Sequence, residues 1–130
     1  MKTVYENPLY DFILSDEENL LIFEWKEATN DMTDDDFIKA ISNYASFAFK
    51  NQGKGLLVDV RKFRHKIGKE ALIWRNEVCL SRYQLAGANK MGYVMPTQAL
   101  QNLPVGDIKI GQFTDRYFDN AEAATKWLTH

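Results

Sequence analysis

A chain of 130 residues, 45 % apolar and 26 % charged, has the size of one domain and can bury a core without disulfides or metals. Its 16 basic and 18 acidic side chains leave a formal charge of −2, which excludes the global positive field behind non-specific nucleic-acid binding. A single cysteine excludes an internal disulfide and a cysteine-cluster metal site, and no apolar run nears the roughly 20 residues that cross a bilayer.

The stretch MKTVYENPLYDF lacks the unbroken apolar core of a signal peptide, so the expectation is a cytoplasmic protein with no membrane insertion. Tyr10 to Leu14 and Asn19 to Trp25 are β-rich runs separated by the polar turn Ser15-Asp16-Glu17-Glu18, which predicts an antiparallel hairpin. Thr33 then precedes Asp34, Asp35 and Asp36. That T-x-x-D pattern reads as a capping box, with carboxylates at the positive end of a helix.

The helix so started places Phe37, Ile38, Ile41, Tyr44, Ala45, Ala48 and Phe49 on one arc of roughly 140° at 100° per residue. It ends at Asn51-Gln52-Gly53, with Gly53 a candidate left-handed cap, and the continuously apolar GLLVDV follows as a central strand covered on both faces. A second helix is expected from about Gly68 to Ala86, stopped by Gly87. Its wheel shows two apolar stripes, Ala71, Trp74, Val78 and Leu85 against Leu72, Cys79, Tyr83 and Ala86, with Arg75 and Arg82 between them.

KMGYVMP is a further strand closed by Pro96, and Thr97 opens a short helical turn. IKIGQF, residues 108–113, reads as a last strand near an edge, and Asp119-x-x-Glu122 as the box that starts a terminal helix with Ala123, Ala124, Trp127 and Leu128 on its apolar side. The whole chain therefore reads as one α/β domain over 1–130. An N-terminal β-hairpin leads into alternating strands and helices, with helices packed on a mixed sheet of about five strands that is parallel in its centre.

The hairpin, the central LLVDV strand and the ending RYFDNAEAATKWL together resemble a STAS-like domain, and more narrowly the stage-II-sporulation-AA-like (anti-sigma-factor-antagonist-like) group of small bacterial proteins, mostly of unassigned function. The resemblance covers nearly the whole chain through short motifs. It implies a STAS-like sandwich and a regulatory, protein-binding role, or an apolar ligand as in the related lipid-transfer type of fold. Phospho-switched STAS antagonists carry a D-S-x-G element about eight residues past the strand's aspartate. Here that count from Asp59 reaches Lys66-Ile67-Gly68-Lys69, with no Ser or Thr between Asp59 and Ser81, so the phospho-switch does not carry over.

Three constellations stand out. Arg61, Lys62, Arg64, His65 and Lys66 form a basic crescent between the end of a central strand and the start of a helix, where open α/β sheets place ligands. Arg61, Arg64, His65 and Lys66 are candidates for an anion or an acidic partner; the alternative is a solvated loop, with Asp59 and Arg61 a structural ion pair. Trp74, Arg75, Val78, Arg82 and Tyr83 are candidates for a partner or homodimer interface, because one stripe suffices to face a sheet and Trp, Tyr and Arg concentrate in interface cores. The competing reading is a helix buried on both sides. Phe63, Tyr93 and Met95 surround a possible apolar or anionic ligand between the sheet and the second helix.

Cys79 reads as a buried small hydrophobe, and one interior histidine, His65, makes neither a triad nor, with His130, a metal site. No catalytic machinery, cofactor motif or metal set is visible. The leading expectation is a non-enzymatic interaction module with an unidentified protein partner and no nucleic acid; the alternative is a small-molecule carrier.

Overall fold

The computed structural model describes residues 1–129 and contains strands β1 (Lys2–Glu6), β2 (Tyr10–Ser15), β3 (Leu20–Trp25), β4 (Gly55–Asp59), β5 (Lys90–Val94), β6 (Ile108–Ile110) and β7 (Phe113–Phe118). They form one sheet in the order β1-β2-β3-β4-β5-β7-β6. The hairpin pairs Tyr10 with Trp25 and Ser15 with Leu20. From β3 through β4 and β5 to β7 the pairing is parallel, while β1 and β6 are added antiparallel at the two edges. The GLLVD strand, β4, is the central one.

Helix α1 (Asp34–Lys50) begins at the expected capping box, with the Thr33 hydroxyl accepting from the Asp36 N–H and the Asp36 carboxylate accepting from the Thr33 N–H. The second helix runs as α2 (Lys69–Trp74), a π-helical turn (Arg75–Cys79) and α3 (Leu80–Leu85). It closes in a Schellman motif: Gly87, at φ 87°, donates to the Gln84 carbonyl and Ala88 donates to that of Tyr83. A short turn, α4 (Thr97–Leu100), and the terminal helix α5 (Ala121–Leu128) complete the fold.

Strand alternation divides the sheet into two faces. Phe12, Phe23, Leu56, Val58, Met91 and Phe113 pack under α1 and the second helix as the main core, and Leu20, Leu57 and Val94 meet Ala124 and Leu128 of α5 on the other face.

The sheet has seven strands rather than about five. Lys2–Glu6 is an exposed edge strand without a clean apolar side, and FTDRYF carries two charges that disguised it as the approach to α5. Residues 108–113, expected as one strand, end β6 at Ile110, turn at Gly111 (φ 60°) and start β7 at Phe113. The cap of α5 is Asn120, whose side chain accepts from the Ala123 N–H, and not Asp119.

Candidate functional site

A cavity of about 230 Å³ lies between the sheet and the helices on its main-core face, toward the carboxyl ends of the parallel strands. The strands contribute Phe23, Trp25, Val58, Met91, Tyr93, Asp115 and Tyr117. From the helices come Phe37, Ile41, Tyr44, Leu72, Arg75 and Tyr83, and from the loops Val60, Phe63, Ile67 and Met95. Phe23, Tyr44, Val58 and Met91 are buried at its base, whereas Leu72 is 44 % exposed and marks its mouth. Trp25 is fixed by edge contact with Phe63 and by stacking on Phe23, so the aromatic wall is rigid.

The polar part of this wall is one cluster. Arg75, on the π turn, reaches across to β7 and pairs with both Asp115 oxygens, Nη1 at 2.7 Å and Nη2 at 2.8 Å. Nη2 also donates to the Tyr93 hydroxyl, and Nη1 to Asn76 Oδ1 at 3.1 Å. Arg75 is 8 % and Asp115 5 % exposed, so the pair is a buried, bidentate ion pair. Burial works against the Arg75 charge, but Tyr93 and the hydrogen-bonded Asp115 carboxylate overcome it, and its pKa is raised. Burial likewise pushes the Tyr93 phenol well up, against the opposing effect of Arg75, and pushes Tyr117 up. Both phenols are neutral at physiological pH.

The π turn explains the two stripes on the helical wheel. A turn closed by i→i+5 bonds, such as Leu80 N–H to Arg75 C=O, slips the phase of an α-helical projection. Ala71, Arg75, Cys79, Leu80, Tyr83 and Ala86 all become buried along one face. Two expected interface residues are thus core residues: Arg75 is held by Asp115, and Tyr83 donates to the Ile41 carbonyl at 3.1 Å. Trp74 and Val78 are half-buried, and exposed Arg82 lies over the Trp74 ring at 5.5 Å. Cys79 is buried, its thiol raised by burial.

The basic crescent is largely engaged within the chain. Arg61 holds both Asp59 oxygens, at 3.0 and 2.7 Å, and that hydrogen-bonded pairing raises its pKa. Arg64 donates to the carbonyls of Arg61 and Phe63, and its own N–H is taken by Thr29 Oγ1. His65 meets Asp34 at 2.7 Å, and the same carboxylate accepts from the Gly68 N–H. The His65 and Gly68 hydrogen bonds hold Asp34 below the usual carboxylate range. Lys66 is exposed. The crescent's charges therefore do not converge on one point.

Of the residues anticipated around a ligand, Phe63, Tyr93 and Met95 all line the cavity. Asp115, Tyr117 and Trp25 had no signal at the sequence level; the nearest to one was an arginine, Arg75, lodged between apolar stripes, which needs a buried carboxylate somewhere in the fold. Among the described residues no three His, Cys, Asp or Glu side chains are grouped to hold a metal ion, and His130 lies outside them. Among the same residues no helix is long and apolar enough to cross a membrane. Compared with protein-family models, curated proteins and solved structures, the chain matches none at a significant level.

Proposed function

We propose that the protein binds a small, mainly apolar molecule in the cavity between the sheet and the second helix. The observation that carries this reading is the cavity itself: an aromatic and aliphatic chamber with one polar cluster in its wall and a mouth at the carboxyl edge, the arrangement expected of a ligand site in an α/β sheet. Close packing is the rule in protein interiors, so a chamber of this size left between bulky side chains calls for an occupant. The π turn that supplies Arg75 supports it further, since such turns concentrate at functional sites. Binding is preferred over catalysis because the two ionisable groups of opposite charge in the wall, Arg75 and Asp115, are engaged with each other.

Size narrows the occupant. A dry cavity of about 150 Å³ takes benzene, so by proportion about 230 Å³ takes roughly nine heavy atoms. Indane, a two-ring hydrocarbon of that size, should raise the melting temperature saturably, and Val60→Trp, which enlarges a lining side chain into the cavity, should abolish the rise. No saturable shift up to the solubility limit of indane refutes the reading.

The regulatory, STAS-like interaction module is the second reading. It is favoured by exposed apolar side chains on the helices: Phe49 at 56 %, Leu85 at 73 %, and Leu72 with Ile73. In that case Trp74, Val78 and Arg82 join Leu85 in an interface, and light scattering at tens of micromolar should show a dimer that Leu85→Glu dissolves. A strict monomer in both proteins removes the homodimer.

A further inference from the structure

Resting on the cavity reading and narrowing it, we infer that the ligand carries a neutral hydrogen-bond acceptor, such as a ketone or ring carbonyl, that receives the Tyr93 hydroxyl proton. The bonding inventory of the cluster leads there. The Tyr93 oxygen accepts from Arg75 Nη2, and that leaves its O–H to donate. Among the described residues no acceptor takes this proton. Tyr93 is half-buried, and the two fully buried tyrosines of the cavity wall differ from it: Tyr44 donates to the Leu21 carbonyl and Tyr83 to that of Ile41.

Tyr93 is thus a directed donor on an apolar surface, held in place by a fixed guanidinium. An unsatisfied donor of this kind is unfavourable unless a ligand or water meets it. Accepting from Arg75 also polarises the Tyr93 O–H and makes it a better donor.

The same cluster selects against a charged ligand. The guanidinium that would attract a carboxylate already has both Asp115 oxygens on it, so an incoming anion meets a neutral pair with a carboxylate face, in a wall that offers little other solvation. A neutral acceptor incurs no such penalty. It gains one hydrogen bond from a preorganised donor, while its ring system fills the aromatic chamber lined by Trp25 and Phe63.

Three probes of nearly equal size separate the possibilities: indane, 1-indanone and benzoate, titrated into the whole protein and read by calorimetry or melting temperature. The expected order is 1-indanone about threefold to tenfold tighter than indane, the range that one net hydrogen bond supports, with benzoate weakest. Tyr93→Phe should bring 1-indanone down to the affinity of indane and leave indane unchanged. Equal binding of indane and 1-indanone overturns the acceptor inference and leaves the cavity reading standing. Tightest binding by benzoate overturns it in favour of an anion, and no binding by any probe overturns both. If Tyr93→Phe fails to fold, the three-probe order in the native protein decides the matter alone.

Discussion

Arg75→Met keeps the reach of the side chain and deletes its charge, and so isolates what the ion pair with Asp115 contributes. In the native protein the guanidinium stands 2.7 and 2.8 Å from the two carboxylate oxygens, and both residues are almost withdrawn from water. Methionine would leave the carboxylate buried against an apolar chamber. Removing one partner of a buried pair costs about 3–5 kcal/mol, whereas replacing both by apolar groups of similar volume is often close to neutral. Against a total stability of about 5–15 kcal/mol, the single variant should be marginal.

With a urea slope of roughly 1–3 kcal/mol per molar, its unfolding midpoint should fall by about 2 M. Arg75→Met with Asp115→Leu should recover most of that loss. The pH dependence supplies a second check. An orphaned buried carboxylate has its folded pKa raised above the unfolded value of about 3.9, so its contribution to stability is present at low pH and lost as pH rises through the folded value. The deficit of Arg75→Met relative to wild type should therefore be greatest near neutrality and narrow toward about pH 4. A double variant as unstable as the sum of the singles, or a deficit independent of pH, would refute the reasoning.

Thr33→Ala removes one half of the capping box of α1 and should lower stability by about 1 kcal/mol in denaturant unfolding, with Thr33→Ser nearly neutral. A Cβ at Gly68 would sit 2.2 Å from an Asp34 oxygen, so Gly68→Ala should expel that carboxylate. Its melting temperature should fall, and adding Asp34→Ala should lower it little further; full additivity would mean that the contact contributes nothing. Because His65 and the Gly68 N–H depress Asp34, its share of stability is present above the unfolded pKa and fades as pH falls through the folded one. Asp34→Asn should accordingly show a flatter loss of stability below about pH 4 than wild type in acid unfolding curves.

The hairpin, the capping box of α1, the central β4 strand and the Gly87 stop were all legible because each is encoded within a few neighbouring residues. What escaped has non-local causes. Asp115 makes β7 read as a polar approach to a helix, and it is buried there because Arg75, forty residues earlier, neutralises it. The π turn has no local signature, yet it rotates everything after Trp74 and brings Cys79, Tyr83 and Ala86 onto the buried face with Ala71 and Arg75, leaving Leu72 and Leu85 exposed. The lining of the cavity was partly readable, through Phe63, Tyr93 and Met95, since apolar residues at the carboxyl end of a central strand meet whatever packs there. The crescent was legible as a run of positive charges, with the Asp59–Arg61 ion pair as one of its two readings, whereas the partners Asp34 and Thr29, distant in sequence, are set by the fold.

The most direct test of the central claim is a protein-observed NMR titration with indane, which reports where a small apolar molecule settles. Occupation of the cavity should give saturable shift changes at Val60, Phe63, Leu72, Tyr93 and Met95, with residues around α5 unmoved. Shifts confined to the outer helix surface at Phe49 and Leu85, or no saturable change anywhere, would contradict it.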